Sequence, residues 1–545
     1  MDFLKVTKAT DLTGSDKKLY RLFEILPGFL SWVTLILLFA LSYFNPIWVA
    51  VFLVIFDVYW LLLVIYLGIH LLASYKNFKN NLKINWAEEC EKLEPRRIIV
   101  EEAGGGTQEI VIDWHDLTHL IVFPFYKEGY DVISSSLQSL LDDGYDTKKM
   151  ILVLASEERA GAEAQINAQR AREEFGQYFK EFAITVHPDG IAGEQAGKGS
   201  NQAWAAQIVK SEIIDPQGID YYKILVSVMD MDTIVHPGYF HRFTHKFMTV
   251  DRPYRASYQP VPIYNNNVWE APFFSRIAAF SNTFWQMIQQ VRVEKLATYS
   301  SHSMTWKALV DIDFWSVSMV SEDSRIFYHC FCYYNGEYRV EPLYYPIYMD
   351  SCMDKKVLHT AKNLYKQQRR WGWGVENVPY LIFNTVKRWK EIPRAKFVSQ
   401  ILFVQIYGFH SWATNALIIG VIGWMPLLLG GDHFNITVLS TNLPEVTRIL
   451  MTLAMAGLVT SAILSNLMLP KRPKGTPAYK SLIMVIQWVF LPISIVIFGS
   501  IPAIEAQTRL ILGKYMGFWV TPKERIAEKF FKLNKGGEDN NNLNL

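Results

Sequence analysis

Apolar positions gather near the two ends of this 545-residue chain, and the long middle alternates like ordinary soluble protein. Residues 25–44 and 47–72 are two apolar runs, each with the roughly 20 positions a helix needs to cross a bilayer. Asn45 and Pro46 separate them, which predicts a helical hairpin. A cleaved signal peptide is excluded, because the first run is longer than an h-region and a second span follows at once. Apolar runs return at 397–429, 449–469 and 482–504. Between them the pattern predicts alternating strands and helices, hence an α/β domain with a mainly parallel sheet. Strands are expected at 120–124, 150–154, 183–186 and 224–228. Helices are expected at 132–142, from about 158 to 181, and at 202–209, with a glycine-punctuated loop, GEQAGKGSN, at 193–201. Four units follow: 1–85, a cytoplasmic segment and transmembrane hairpin; 86–393, the α/β domain; 394–512, an interfacial helix and further spans; and 513–545, a terminal segment.

Charge orients this layout. Lys5, Lys8, Lys17, Lys18 and Arg21 precede the hairpin, and Lys76, Lys79 and Lys83 follow it, so both its ends and the α/β domain are expected in the cytoplasm. Lys471, Arg472, Lys474 and Lys480 mark a later cytoplasmic loop, and Arg509 and Lys514 ask for the same side. Residues 482–512 are too few to cross twice. A re-entrant or interfacial segment broken near Pro492 and Pro502 is therefore expected, with a full crossing as the alternative. Asp57, mid-span, costs about 2.5 to 3.5 kcal/mol on insertion scales, so it should face other helices, a polar passage or a local hydrogen bond. The 54 basic and 52 acidic residues leave a net charge of +2, which gives no electrostatic case for nucleic acid. Four cysteines without histidine partners at metal spacing read as buried thiols. The asparagine-rich stretch 536–545 reads as disordered.

The candidate chemistry begins at ILVSVMDMDTIVH, residues 224–236, where Asp230 and Asp232 follow an apolar strand. Carboxylates at a strand's carboxyl end sit where open α/β sheets bind ligands, and Mg²⁺ or Mn²⁺ uses one or two of them together with substrate phosphates. Alone, D-x-D is also a common acidic turn. The glycine loop fits neither G-x-x-x-x-G-K-[ST] nor G-x-G-x-x-G, although Lys198 could contact a nucleotide. Glu322 and Asp323 precede a helical pattern at 324–333, where a carboxylate can simply cap the helix. Gln367, Arg370 and Trp371 close a helix starting near Lys355; an Arg can offset diphosphate charge, and a Trp face can carry a sugar ring.

Taken in order, P-F-Y-K-E at 124–128, D-x-D at Asp230 and Asp232, E-D at Glu322 and Asp323, and Q-x-x-R-W at Gln367, Arg370 and Trp371 resemble glycosyltransferase family 2. They are most similar to its membrane-embedded branch of cellulose, chitin and hyaluronan synthases. Phe518, Val520, Thr521 and Lys523 resemble the F-x-V-T-x-K gating loop of cellulose synthases. The resemblance implies a Rossmann-like GT-A domain that binds a nucleoside-diphosphate sugar, a UDP-sugar being the first expectation. It places Asp230 and Asp232 on the diphosphate and a divalent metal, Asp232 as the more direct ligand. Asp323, beside Glu322, would be the general base of an inverting transfer, and Gln367, Arg370 and Trp371 would form the acceptor end. Tyr126, Glu128 and Lys198 would contact the nucleotide. Where many members carry an Asp pair after the second strand, this chain has Ser156-Glu157-Glu158, so Glu157 takes that place less securely.

The expectation is a plasma-membrane enzyme that extends a glycan and exports it, with the bilayer as partner and an oligomer open. Cellulose synthases carry more spans and continue past the gating motif, whereas 22 residues follow Lys523 here and no cyclic-dinucleotide-binding domain fits. Single transfer to a lipid-linked acceptor is therefore a second reading. A transporter with a nucleotide-binding domain, a third and of another class, leaves the acid, base and acceptor motifs unused.

Overall fold

The computed structural model describes residues 3–101 and 106–519. The hairpin is two long helices, Gly14–Phe44 and Pro46–Leu82, the second opened by Pro46, whose missing N–H is not needed in a first turn. The α/β domain follows. β1 (Arg96–Glu101) and β2 (Thr107–Ile112) form a separate antiparallel ribbon that the hydrophobic pattern did not predict. The main sheet is built from β3 (Thr118–Pro124), β4 (Met150–Glu157), β5 (Glu181–His187), β6 (Ile224–Val228), β7 (Ile234–Val235), β8 (Ala256–Ile263), β9 (His302–Thr305) and β10 (Arg339–Tyr348). Its order is β5-β4-β3-β6-β9-β8-β10-β7.

From β5 through β6 all pairs are parallel; β9 then runs antiparallel to both β6 and β8. The sheet is thus a mixed one of the GT-A kind, less uniformly parallel than the pattern predicts. β3, β4, β6 and β8 are buried at every position, because helices cover both faces. The apolar set divides accordingly into one cluster around Phe123, Leu152 and Phe243 and another around Val122, Val226 and Trp306.

Two local expectations need correction. The charged helix predicted to about 181 ends at Phe175, and β5 already begins at Glu181. The glycine loop is shorter than predicted, since a helix starts at Lys198. β8 carries Pro260 and Pro262, which argue against a central strand. It is tolerated because β9 pairs only with Ser257 and Tyr258. Past that point side chains of the helix Phe273–Val291 take over: Gln290 Nε2 donates to the Gln259 carbonyl at 3.1 Å, and Thr283 Oγ1 to that of Pro262 at 3.0 Å.

Among the described residues, four helices are long and apolar enough to cross a membrane: Gly14–Phe44, Pro46–Leu82, Val438–Leu467 and Tyr479–Ile511. A fifth candidate is Arg394–Gly420 with Ile422–Leu429, bent by 41°. Asp57 is buried and accepts a hydrogen bond from Thr447 Oγ1 at 2.8 Å, so it faces the helix Val438–Leu467.

The segment expected to break near Pro492 and Pro502 instead continues as one helical path. It turns 3₁₀ over Gln487–Phe490, just before Pro492, and π over Val496–Ser500, just before Pro502. Changes of helix type absorb the missing N–H groups without reversing the chain. One side of this helix keeps to the α/β domain along its length. Lys480 Nζ donates to the Trp269 carbonyl at 3.1 Å, Arg276 Nε to Gln487 Oε1 at 2.7 Å, and Tyr365 and Arg369 reach Glu505 at 2.8 and 2.6 Å. Its other side exposes Leu482, Ile486, Val489, Ile493 and Ile497. The helix thus has a bonded face toward the α/β domain and an apolar face away from it.

Candidate functional site

The site lies at the carboxyl edge of the parallel strands. Asp230 and Asp232 occupy the tight turn that leaves β6, where Thr233 N donates to the Asp230 carbonyl at 2.9 Å. Asp230 N is held by Ser301 Oγ at 3.3 Å, and Ser300 Oγ donates to Asp230 Oδ2. Ser301 has φ of +63° and bonds Thr233 Oγ1 at 2.9 Å, so a strained serine pins the acidic turn. Asp232 is fully buried, and its Oδ2 accepts the Asp350 N–H at 2.8 Å.

Lys198 joins this turn to the second acidic pair. It opens the helix Lys198–Val209, and its Nζ lies 2.8 Å from Asp230 Oδ1 and 2.8 Å from Asp323 Oδ1. The Lys198 side chain is 10% exposed. Burial opposes its charge, but Asp230, Asp323 and Glu322 together outweigh burial, and the pKa is raised. Two glycines set this lysine in place. Gly197 has φ of +155°, and a Cβ there would lie 2.6 Å from Phe518 Cγ; a Cβ on Gly199 would lie 2.8 Å from the Ser316 carbonyl. The backbone can approach only without side chains at either position.

Glu322 and Asp323 lie in the first turn of the helix Glu322–Tyr333, and the buried Glu376 Oε1 accepts the N–H of the preceding Ser321 at 3.0 Å. Glu322 is itself buried, and neither carboxyl oxygen has a hydrogen-bond partner among the described residues. Burial, then the neighbouring Asp323, raises its pKa, with Lys198 and Arg370 pulling the other way. Tyr264 feels the same group of charges: burial raises its pKa first, then Asp230, Asp232 and Asp323, while Arg370 lowers it. The two acidic motifs and Arg370 therefore share one electrostatic neighbourhood.

The helix Val357–Gly372 supplies the remaining side chains. Gln367 and Gln368 are buried, and the Trp371 and Tyr264 rings lie 6.2 Å apart beside a small cleft that Asp350 also lines. The Arg370 guanidinium sits 5.1 Å from the centre of the Phe518 ring. Phe518 thus touches both the lysine loop and the arginine. Its segment is tied down by Glu24, which is buried in the first helix and accepts Tyr515 Oη at 2.9 Å, Arg21 Nη1 at 2.6 Å and the Ala9 N–H at 2.9 Å. Val520, Thr521 and Lys523 lie outside the described residues, as does 536–545.

Tyr126, Glu128 and Glu157 gather further along the same edge, at the ends of β3 and β4. Glu128 Oε2 accepts the Tyr126 N–H at 2.7 Å. Glu157 is held by Arg159 through bonds of 2.6 and 3.0 Å, and the same guanidinium covers the Tyr126 ring at 4.7 Å. Both Glu157 oxygens are engaged, and the cleft beside it is lined by Arg159, His187 and Glu194. Arg159, Tyr264, Asp350, Ser300 and Ser301 belong to this edge and were not found from sequence. Arg159 alone carried a local signal, two residues past Glu157.

Among the described residues, no three His, Cys, Asp or Glu side chains converge as a metal-binding group. The sequence profile described as glycosyl transferase family group 2 matches residues 225–500. No curated protein matches the chain. Similar solved structures include the mannosyltransferase PcManGT from Pyrobaculum calidifontis in complex with GDP-Man and Mn²⁺, at 12% identity and a TM-score of 0.38 over 72% of this chain and 99% of that one. Another is S. aureus TarS 1–349 in complex with UDP, at 11% identity and a TM-score of 0.34 over 66% and 98%.

Proposed function

This chain belongs to glycosyl transferase family group 2, and from that premise we propose that it is an inverting glycosyltransferase of the membrane-embedded synthase branch. It would move a hexose from a nucleoside-diphosphate sugar to a growing glycan on the cytoplasmic face of the plasma membrane and pass the product outward. The observation that carries this reading is the meeting of Asp230 and Asp323 at one ammonium, with Arg370 in the same neighbourhood. Phosphate-binding and proton-accepting groups are thereby brought within one substrate's reach.

The roles follow from chemistry. Asp323 takes the proton of the acceptor hydroxyl; positioned base catalysis of this kind contributes about 10² to 10⁴-fold. Lys198 and Arg370 offset charge on the departing diphosphate, where preorganised cations act without solvent reorganisation. Tyr126, Glu128 and Glu157 hold the nucleotide, with Arg159 fixing Glu157. Gln367 and Trp371 seat the acceptor sugar, and Phe518 closes the site from the side of the interfacial helix. The residues suit a hard divalent cation such as Mg²⁺ or Mn²⁺: Asp230 already holds a cationic group at 2.8 Å, and such ions use one or two carboxylates with the substrate's phosphates. Asp230 and Asp232 would hold it, and it would supply Lewis-acid stabilisation of the leaving diphosphate.

We infer four crossings, by the hairpin, the bent pair from Arg394 and the helix Val438–Leu467, which would keep the helix Tyr479–Ile511, read as interfacial, and Phe518 on the catalytic side. Transfer of one sugar to a lipid-linked acceptor is a second reading, favoured by the close packing of Gly372, next to Trp371, on the helix Tyr479–Ile511, where a Cβ on Gly372 would lie 3.2 Å from Ala503 Cα. Incubating membranes with each radiolabelled nucleotide sugar and sizing the product separates the two. Asp323→Asn should abolish transfer while donor binding persists; near-normal turnover in that variant would remove the assigned base.

A further inference from the structure

The placement of Lys198 does more than supply charge to a diphosphate. Its ammonium bonds one oxygen of Asp230 and one oxygen of Asp323, both at 2.8 Å, although the two aspartates come from different motifs. The lysine is the first residue of its helix, wedged between Gly197, which Phe518 covers, and Gly199, which abuts Glu322. Its side chain is nine-tenths buried, so this is a held position and not a loose surface contact. A cation approaching Asp230 must compete with a positive charge already there. An acceptor hydroxyl approaching Asp323 meets a carboxylate whose lone pairs are partly taken.

Resting on the donor and metal roles proposed above, we propose that Lys198 is an internal cation that bridges Asp230 and Asp323 until donor binds and is exchanged for the divalent metal when a nucleoside diphosphate arrives. The incoming phosphates give the ammonium a new anionic partner. Asp230 is then released to the metal, and Asp323 is released to the acceptor. Metal therefore binds only weakly ahead of nucleotide, and the base is unmasked only when a donor is present. By linkage, the nucleotide raises metal affinity by the same factor as the metal raises nucleotide affinity, typically about 5 to 150-fold for coupled sites.

The test uses the purified full chain and Mn²⁺, with free ion followed by electron paramagnetic resonance. For wild type with Mn²⁺ alone, weak binding is expected, tightening about tenfold or more on addition of UDP or GDP. Lys198→Met and Lys198→Gln should each bind Mn²⁺ about tenfold more tightly than wild type without nucleotide, while Lys198→Arg should stay weak. Wild type that binds Mn²⁺ equally well with and without nucleotide overturns the proposal, whatever the variants do. Neutral variants that gain no Mn²⁺ affinity overturn it as well. Failure of the glycosyltransferase reading would look different: no labelled sugar transferred by wild type with any donor, irrespective of how Mn²⁺ binds.

Discussion

Replacing Gly197 by alanine is the sharpest probe of how the C-terminal segment meets the site. Two costs add. The residue sits at φ +155°, ψ −171°, a region essentially reserved for glycine, where another residue costs about 1 to 3 kcal/mol. A Cβ there would also lie 2.6 and 2.7 Å from Cγ and Cβ of Phe518, closer than any real contact, and overpacking of this kind costs about 1 to 3 kcal/mol. The backbone around Lys198 is locked by the Asn201 bond to the Ala155 carbonyl at 2.7 Å and by the Gln195 bond to Val317 at 2.8 Å. The Phe518 segment, outside any helix or strand, should therefore be the partner that moves.

All four native cysteines are buried, so a single cysteine introduced at the half-buried Met516 reports release of the segment by its maleimide labelling rate. If 1 to 3 kcal/mol of overpacking falls on the docked state, Gly197→Ala should speed labelling by about 5 to 150-fold. In a Phe518→Gly background, which removes the colliding atoms, the alanine should add little. Equal labelling in Gly197→Ala and its parent, or an undiminished effect in the Phe518→Gly background, would refute the docked position of Phe518.

Two further outcomes follow from buried groups. Glu24→Gln leaves Arg21 without its carboxylate and weakens the tie to Tyr515, so Met516 labelling should rise and glycosyl transfer fall, by about 1 to 3 kcal/mol in docking; unchanged labelling would remove Glu24 as the anchor. Asp143 is fully buried, its carboxylate accepts the Tyr239 N–H at 2.7 Å, and burial pushes its pKa up to about 7. A raised folded-state pKa gives stability that is complete at low pH and lost as pH rises through about 7, so wild type should melt lower at pH 8 than at pH 5. Asp143→Asn should lessen that fall, by a few kcal/mol at most, in thermal unfolding of the detergent-solubilised protein; an unaltered pH dependence would assign it to another group.

The chain's own pattern determined its broad plan. Runs of twenty apolar residues have few alternatives to helices in a bilayer, and the hairpin turns at Asn45 and Pro46 as expected, while the run at 449–469 falls within a helix that starts earlier, Val438–Leu467. A β-branched run ending in acid likewise placed Asp230 and Asp232 beyond β6. Both signals are local: a period, a length, a turn residue.

What only the tertiary structure decided depends on residues distant in sequence. β8, with two prolines, exists because its outer ladder is replaced by side chains from another helix. Lys198 reaches Asp323 across 125 residues and Phe518 reaches Gly197 across more than twice that span, with no local feature announcing either contact. The helix Tyr479–Ile511 has the length and apolarity to cross, and its bonds to Trp269, Arg276 and Arg369 fix which of its sides meets the domain. Composition sets whether a helix can leave water; the partners gathered along one of its faces set which face stays exposed.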